Sequence, residues 1–438
     1  MLIVTDDQGA DSLGCYGNPV IKTPAIDRLA AEGVRFDNCY ASASSCSPNR
    51  SVLLSGLQHY TNGMYGLAHA PHNFHSHADV KSLPWFLDKA GYRTACVGKY
   101  HLAPENVYAF DQTINANPQN GVEMAEKSRD FIAERGGQPF FLYFCTAAPH
   151  VGGGKFTQLP CEPDRFHNRP EGYPGVEPVK YAPQDVIVPP YLPDIPETRA
   201  ELAQYYQAVS RADQGVGRLI DVLRETRTLD NTVVVFLSDN GHVMPLAKAT
   251  LYDAGIRLPC VVRTPWQKNR GLVNHALIGF TDVAPTLLDV AGALPEDYDF
   301  HGRSFRGILD EEDVDGWDEV YAGHTFHEIT WFYPIRMVRR GKYKLLHNLA
   351  FPLENPAVRR DRSVWKGVEK RNSEYCGNRT IADCLHNPEF ELYDLESDPH
   401  EVVNLAADPR YSEVLESLSE RLQAYRARTG DPWLNYRP

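Results

Sequence analysis

The chain has 438 residues, 42% hydrophobic and 23% charged. That is an ordinary globular composition with enough apolar material for one large domain and a smaller companion. Its 44 Lys and Arg stand against 57 Asp and Glu, a formal charge of −13, the wrong sign for tracking a phosphate backbone, so no nucleic-acid partner is expected.

Met1-Leu2-Ile3-Val4-Thr5 reads as a strand already under way and lacks a signal-peptide pattern. The sequence as given points to the cytoplasm, and to export or a lysosomal address if a leader has been removed. No uncharged apolar run reaches the roughly 20 residues of a bilayer span, so no membrane span is expected. Thr23-Pro24 predicts a helix start, with Ile26, Leu29 and Ala30 on one face and Gly33 as the stop. Further strands are expected at Thr94–Gly98 and Phe140–Cys145. From His150 to Pro196 prolines and glycines are dense and periodicity is lost, which predicts a long irregular excursion. Within it, Gly152-Gly153-Gly154-Lys155-Phe156 lacks the glycine spacing and the Ser or Thr of a phosphate-binding loop.

Leu202, Tyr205, Val209, Val216, Leu219 and Leu223 recur at helical spacing from about Glu197 to Thr226. Thr232–Leu237 then follows as an unbroken apolar strand of the doubly covered kind. Such alternation predicts a central sheet with helices on both faces. Past Gly316 the texture changes to short strands at Glu319–Ala322 and Tyr343–Leu346 and a last helix from about Tyr411 to Arg428. The expected division is a large α/β domain over 1–316 and a C-terminal α+β subdomain with a small antiparallel sheet over 317–438.

The nine cysteines are odd in number and scattered, as buried reduced thiols are. Only Cys376 and Cys384 are close enough in sequence for a local disulfide. Without a Cys-x-x-Cys pair, structural zinc has little support.

Chemistry is expected just beyond the strand ends of an open α/β sheet. Asp6-Asp7 follows the first strand, and Asp239-Asn240 follows the Thr232–Leu237 strand. Hard oxygen donors from two strand ends suit Ca²⁺ or Mg²⁺ much better than zinc. Lys99-Tyr100-His101 and Pro149-His150 follow two further strands. His69, His72, His75 and His77 crowd one loop without a fixed ligand geometry, so zinc has little support there as well.

Ser45-Cys46-Ser47-Pro48-Asn49-Arg50 contains Cys-x-Pro-x-Arg, which resembles the signature of the formylglycine-dependent sulfatase family. Lys248-Ala249-Thr250-Leu251-Tyr252-Asp253-Ala254-Gly255 resembles a second segment of that family. Asn62 to Leu67, Asp213 to Gly217, His347-Asn348-Leu349, Glu391 to Asp394, Asp398 to Glu401 and Asp431-Pro432-Trp433 narrow the likeness to its sulfamidase branch. The resemblance implies an α/β, alkaline-phosphatase-like fold with a large mixed sheet. It also implies Cys46 oxidised to formylglycine by a formylglycine-generating enzyme, and a cation held by Asp6, Asp7, Asp239, Asn240 and modified Cys46.

On this likeness Arg50 steadies the nucleophile, and Lys99, His150 and Lys248 grip the sulfate. His150 also protonates the leaving group, and His101 assists regeneration of the aldehyde. The substrate implied is a sulfated small molecule or saccharide, foremost N-sulfoglucosamine. The likeness takes in Met64 to Phe74, which implies a substrate-contacting loop that includes His72, while His324, His327 and Glu328 either reach back to the leaving group or form a polar domain interface. The likeness leaves room for a homodimer. Sulfamidases carry His-Asp-Pro-His where this chain has Ala147-Ala148-Pro149-His150, and Arg where it has Lys248. An aryl or alkyl O-sulfatase, or a phosphonate or phosphodiester hydrolase of the same superfold, is therefore the alternative.

Overall fold

The computed structural model describes residues 1–134, 136–152, 164–358 and 362–436. Cys161 and the Gly153-Gly154-Lys155-Phe156 run lie outside them. The large sheet has nine strands: β1 (Leu2–Thr5), β2 (Val34–Tyr40), β3 (Arg93–Gly98), β4 (Gln112–Ile114), β5 (Phe140–Cys145), β6 (Val234–Ser238), β7 (Arg257–Arg263), β8 (Leu272–Asn274) and β9 (Ile278–Gly279). Their order is β4-β3-β5-β1-β6-β7-β2-β8, with β9 beside β2. Strands β3, β5, β1 and β6 run parallel. Strand β7 is antiparallel to both its neighbours, β6 and β2, which makes the sheet mixed.

Alternating side chains explain how these short apolar strands organise two cores. Leu2, Val4, Tyr143, Val235 and Leu237 face one side; Ile3, Leu142, Phe144, Val234 and Phe236 face the other. Each fully buried aliphatic side chain contributes about 1.5–3 kcal/mol, so strands covered on both faces need no polar alternation. Three such strands fix the rigid frame from which the polar loops project.

The 30-residue helix Pro196–Glu225 is about 45 Å long and lies on one face of that frame. Its Asp213 accepts hydrogen bonds from the Ala25 and Ile26 backbone N–H groups, 3.1 and 2.8 Å away. Asp213 therefore caps the Pro24–Glu32 helix. Thr23, expected as the cap, makes no side-chain cap bond. Its hydroxyl instead accepts from Gly14 N and donates to Asp27. Burial pushes the Asp213 carboxyl up to about 7, although the two N–H donors pull it down.

The second sheet joins β10 (Glu319–Phe326), β11 (Phe332–Arg340), β12 (Tyr343–Asn348) and, after the ribbon β13 (Tyr375–Cys376) and β14 (Arg379–Thr380), β15 (Phe390–Asp394). It is antiparallel throughout. Val338, Leu345 and Leu392 pack under Leu418 and Leu422 of the terminal helix Ser412–Arg428. The opposite face, with Ile335, Met337 and Leu346, is continuous with the main core.

Asp431 clasps this sheet to the end of the chain. Its carboxylate pairs with Arg336 at 2.7 Å and Arg426 at 2.8 Å, all three side chains being buried. The eight described cysteines are free, so Cys376 and Cys384 form no disulfide. Among the described residues no helix is long and apolar enough to cross a membrane.

Candidate active site

Parallel strands place their carboxyl ends along one edge, and four of them deliver polar groups there. Asp6 and Asp7 follow β1, Lys99 and His101 follow β3, His150 stands five residues past β5, and Asp239 and Asn240 follow β6. Cys46 opens the helix Cys46–Ser55, every residue of which is buried. Lys248 comes from the loop between β6 and β7 and is also buried.

These groups converge on Cys46 Sγ. The Lys248 ammonium is 2.9 Å away and that of Lys99 3.7 Å. Asp6 Oδ1 is at 3.6 Å and Asp7 Oδ1 at 3.9 Å. Lys99 pairs with Asp6 and Lys248 with Asp7. His150 Nε2 stands 3.7 Å from Asp7 Oδ2 on the open side. Asp7 has φ 62°, a left-handed backbone that costs a residue with a β-carbon about 1–3 kcal/mol. The arrangement also lets its N–H donate to Asp239 Oδ1 at 3.0 Å.

Asp6, Asp7, Cys46 and His150 each offer a ligand atom within 4.8 Å of one another, the one such group among the described residues. Asp239 and Asn240 adjoin it, Asn240 Nδ2 donating to Asp7 at 2.7 Å. Asn240 Oδ1 is buried and accepts no hydrogen bond. An orphaned buried carbonyl costs about 1–3 kcal/mol, and a hard cation would satisfy it. Burial first, then the Asp6 charge, pushes the Asp239 carboxyl up to about 6, the strain expected of crowded carboxylates. Carbonyl and carboxylate donors suit a Ca²⁺-class ion. The cysteine is held neutral: burial, with Asp239, pushes the thiol up to about 12 against the pull of Lys248 and Lys99.

Arg50 engages Asp239. Its Nε and Nη2 both reach Asp239 Oδ2 at 2.9 Å, and Nη1 donates to the Lys99 carbonyl and the Tyr143 hydroxyl. The guanidinium thus orients a carboxylate and ties β6 to β3. Asn49, between Pro48 and Arg50, donates to the Asp239 carbonyl and accepts from Ser42 and Ala43. That residue was not singled out from the sequence.

The expected leaving-group residues separate. His72 and Glu328 lie at the partly exposed rim. His324 is only 3% exposed and His327 only 2%. The His327 ring meets Ser45 Oγ at 2.8 Å, so it braces the residue before Cys46. His101 bonds His69, Nε2 to Nδ1, at 2.7 Å, a contact that loop composition gave no means of finding. The four loop histidines belong to no described metal-competent group.

Residues 1–293 match the model of the sulfatase family, and residues 243–353 match that of the C-terminal part of N-sulphoglucosamine sulphohydrolase. The chain is 36% identical to N-sulphoglucosamine sulphohydrolase of Homo sapiens, over 99% of this chain and 91% of that protein. It is 30% identical to an ulvan-active sulfatase of Formosa agariphila, over 98% of this chain and 80% of the relative. A solved structure holding its substrate D-glucosamine-2-N,6-O-disulfate shares the fold, with TM-score 0.70 at 20% identity over 99% of this chain and 98% of that one. So does a phosphonate monoester hydrolase of Agrobacterium radiobacter, with TM-score 0.67 at 19% identity over 98% and 95%. The alkaline-phosphatase-like architecture implied by the cysteine motif is the one observed. With the family's pattern running through the residues gathered on Cys46, and a relative aligned along nearly the whole chain, this protein belongs to the sulfatase family.

Proposed function

We propose that this protein is a sulfohydrolase of sulfated saccharides that cuts the S–N bond of N-sulfoglucosamine or a close relative. The observation that carries the reading is the convergence of two ammonium groups and two carboxylates on residue 46. Lys99 and Lys248 would receive the negatively charged sulfuryl group beside that residue, where burial strengthens each charge contact. The 36% identity to N-sulphoglucosamine sulphohydrolase along both chains supports the amino-sugar substrate.

Oxidation of Cys46 to formylglycine, by a formylglycine-generating enzyme, would supply a hydrated aldehyde: one hydroxyl attacks sulfur as the S–N bond to the amine breaks, and the other then loses its proton, so that the carbonyl re-forms and sulfate is expelled. Asp6, Asp7, Asp239 and Asn240 would hold Ca²⁺, or Mg²⁺ in its stead, which when bound would make the nucleophile more acidic and offset negative charge. The chain's other residues bind and move protons. Arg50 holds Asp239 in place, His150 protonates the departing amine from the open side, and His101 takes the proton released as sulfate leaves.

Rates of sulfate or phosphate release from N-sulfoglucosamine, an aryl sulfate and a phosphodiester test the substrate class. N-sulfoglucosamine is expected to give the highest kcat/KM. A preference for the aryl sulfate or phosphodiester would move the protein to the alternative reading that Ala147, Ala148 and Lys248 suggest. Chelation provides a second check. Stripping the site with EGTA is expected to stop sulfate release, and adding Ca²⁺ at a hundred times its Kd to stabilise the fold by about 2.7 kcal/mol. Thermal unfolding indifferent to both would refute the cation site.

A further inference from the structure

We propose that His69 is a positioning residue for His101: it accepts the proton on His101 Nε2 and so holds the imidazole in the tautomer whose lone pair is on the buried Nδ1. The inference rests on the sulfohydrolase reading, in which His101 acts as a base.

The 2.7 Å contact between His69 Nδ1 and His101 Nε2 is a hydrogen bond and contains one proton. Which ring owns it is decided on the far side of His101. There Nδ1 is buried and has no hydrogen-bond partner. A proton on Nδ1 would be an orphaned buried donor, and burial, then the charges of Lys99, Arg50 and Lys248, oppose positive charge on this ring. A lone pair at the same place faces those cations favourably. With Nδ1 bare, Nε2 carries the hydrogen and donates it to His69. His69 is exposed, so its own Nε2–H is satisfied by water.

The surroundings of His101 hold it against its own backbone preference. Its φ is 54°, the left-handed region that residues with a β-carbon seldom adopt. The two rings lie 4.9 Å apart and 31° out of parallel. His72 abuts His69 edge-on at 5.1 Å. His72 is itself fixed by the Ile329 N–H, which donates to its Nδ1 at 3.2 Å. A chain of three imidazoles therefore runs from the turn between β10 and β11 to the base. The opposite tautomer would point an N–H inward and could accept no proton.

The test combines a structural and a kinetic readout. Two-bond ¹H–¹⁵N correlation spectra of histidine-labelled protein are expected to show His101 as the Nε2–H tautomer, and an Nδ1–H tautomer would overturn the proposal. In His69→Phe, a flat ring without an acceptor, the first turnover should survive as a burst of about one equivalent of desulfated sugar. Steady-state sulfate release should then fall about ten- to hundred-fold without a rise in KM. His69→Gln, whose carbonyl accepts the same proton, should recover most of the rate. An unchanged rate in His69→Phe, loss of the burst along with turnover, or no advantage of Gln over Phe would each overturn it. If the unaltered protein releases no sulfate from any sulfated sugar or aryl sulfate, the underlying function fails instead, a result distinct from any obtained with an active parent.

Discussion

Cys46→Ala is expected to abolish sulfate release while leaving a folded protein. The substitution removes one sulfur atom from a side chain that is 1% exposed, and alanine suits the first turn of a helix. Lys248 and Lys99 keep their carboxylate partners, Asp7 and Asp6, so no buried charge is stranded. Stability should change by no more than about 1–2 kcal/mol. Activity should fall to background, because loss of a covalent nucleophile costs on the order of 10⁶-fold in kcat. Sulfate release measured with N-sulfoglucosamine checks this, and full activity in the variant would defeat the mechanism. Intact-mass measurement of the peptide carrying residue 46 should show the parent lighter than its sequence by about 18 Da, the difference between thiol and aldehyde forms.

Asp431→Ala is expected to cost about 3–5 kcal/mol of stability, the range for stranding buried partners of an ion pair. Two guanidiniums depend on this carboxylate. Arg336 binds it through Nε and Nη2, at 2.7 and 3.0 Å, and Arg426 through Nε at 2.8 Å. Arg336 would retain two backbone carbonyls and the face of Tyr60, but neither arginine could keep a countercharge. Urea unfolding would read the loss, and a midpoint equal to that of the parent would refute it. Acid acts on the same clasp. Burial raises the Asp431 carboxyl, but the Arg336 charge and the hydrogen bonds from both arginines outweigh it and bring the group down to about 2. A depressed carboxylate stabilises fully above its ordinary pKa of about 3.9. This contribution should therefore persist through neutral pH and disappear as pH falls through about 2.

The polar groups at the strand ends were legible because strand-end chemistry leaves a local mark. An apolar run followed directly by Asp6-Asp7 or Asp239-Asn240 is the same statement in sequence and in space. The direction of β7 left no such mark, since Leu258 to Val262 would be apolar whichever way the strand ran between β6 and β2. Partners distant along the chain were also hidden. Thr23 carries every local sign of a helix cap, yet the cap is Asp213, 187 residues beyond Ile26. Arg50 was legible as a cation near Cys46 but not as the clamp on Asp239. Cys376 and Cys384 illustrate the opposite error, where closeness in sequence invites a bond that the fold does not make.

The bond between His327 and Ser45 ties the reaction centre to a part of the chain that supplies none of its charges. Ser45 is the last residue before the helix that presents residue 46, and its partner stands one residue past β10. Grafting a relative's final third onto this catalytic core would thus disturb turnover even with every acid, lysine and arginine of the site retained, unless the graft brought an imidazole to the same place. The smaller sheet thus braces, through one imidazole, the entrance to the helix that carries the nucleophile.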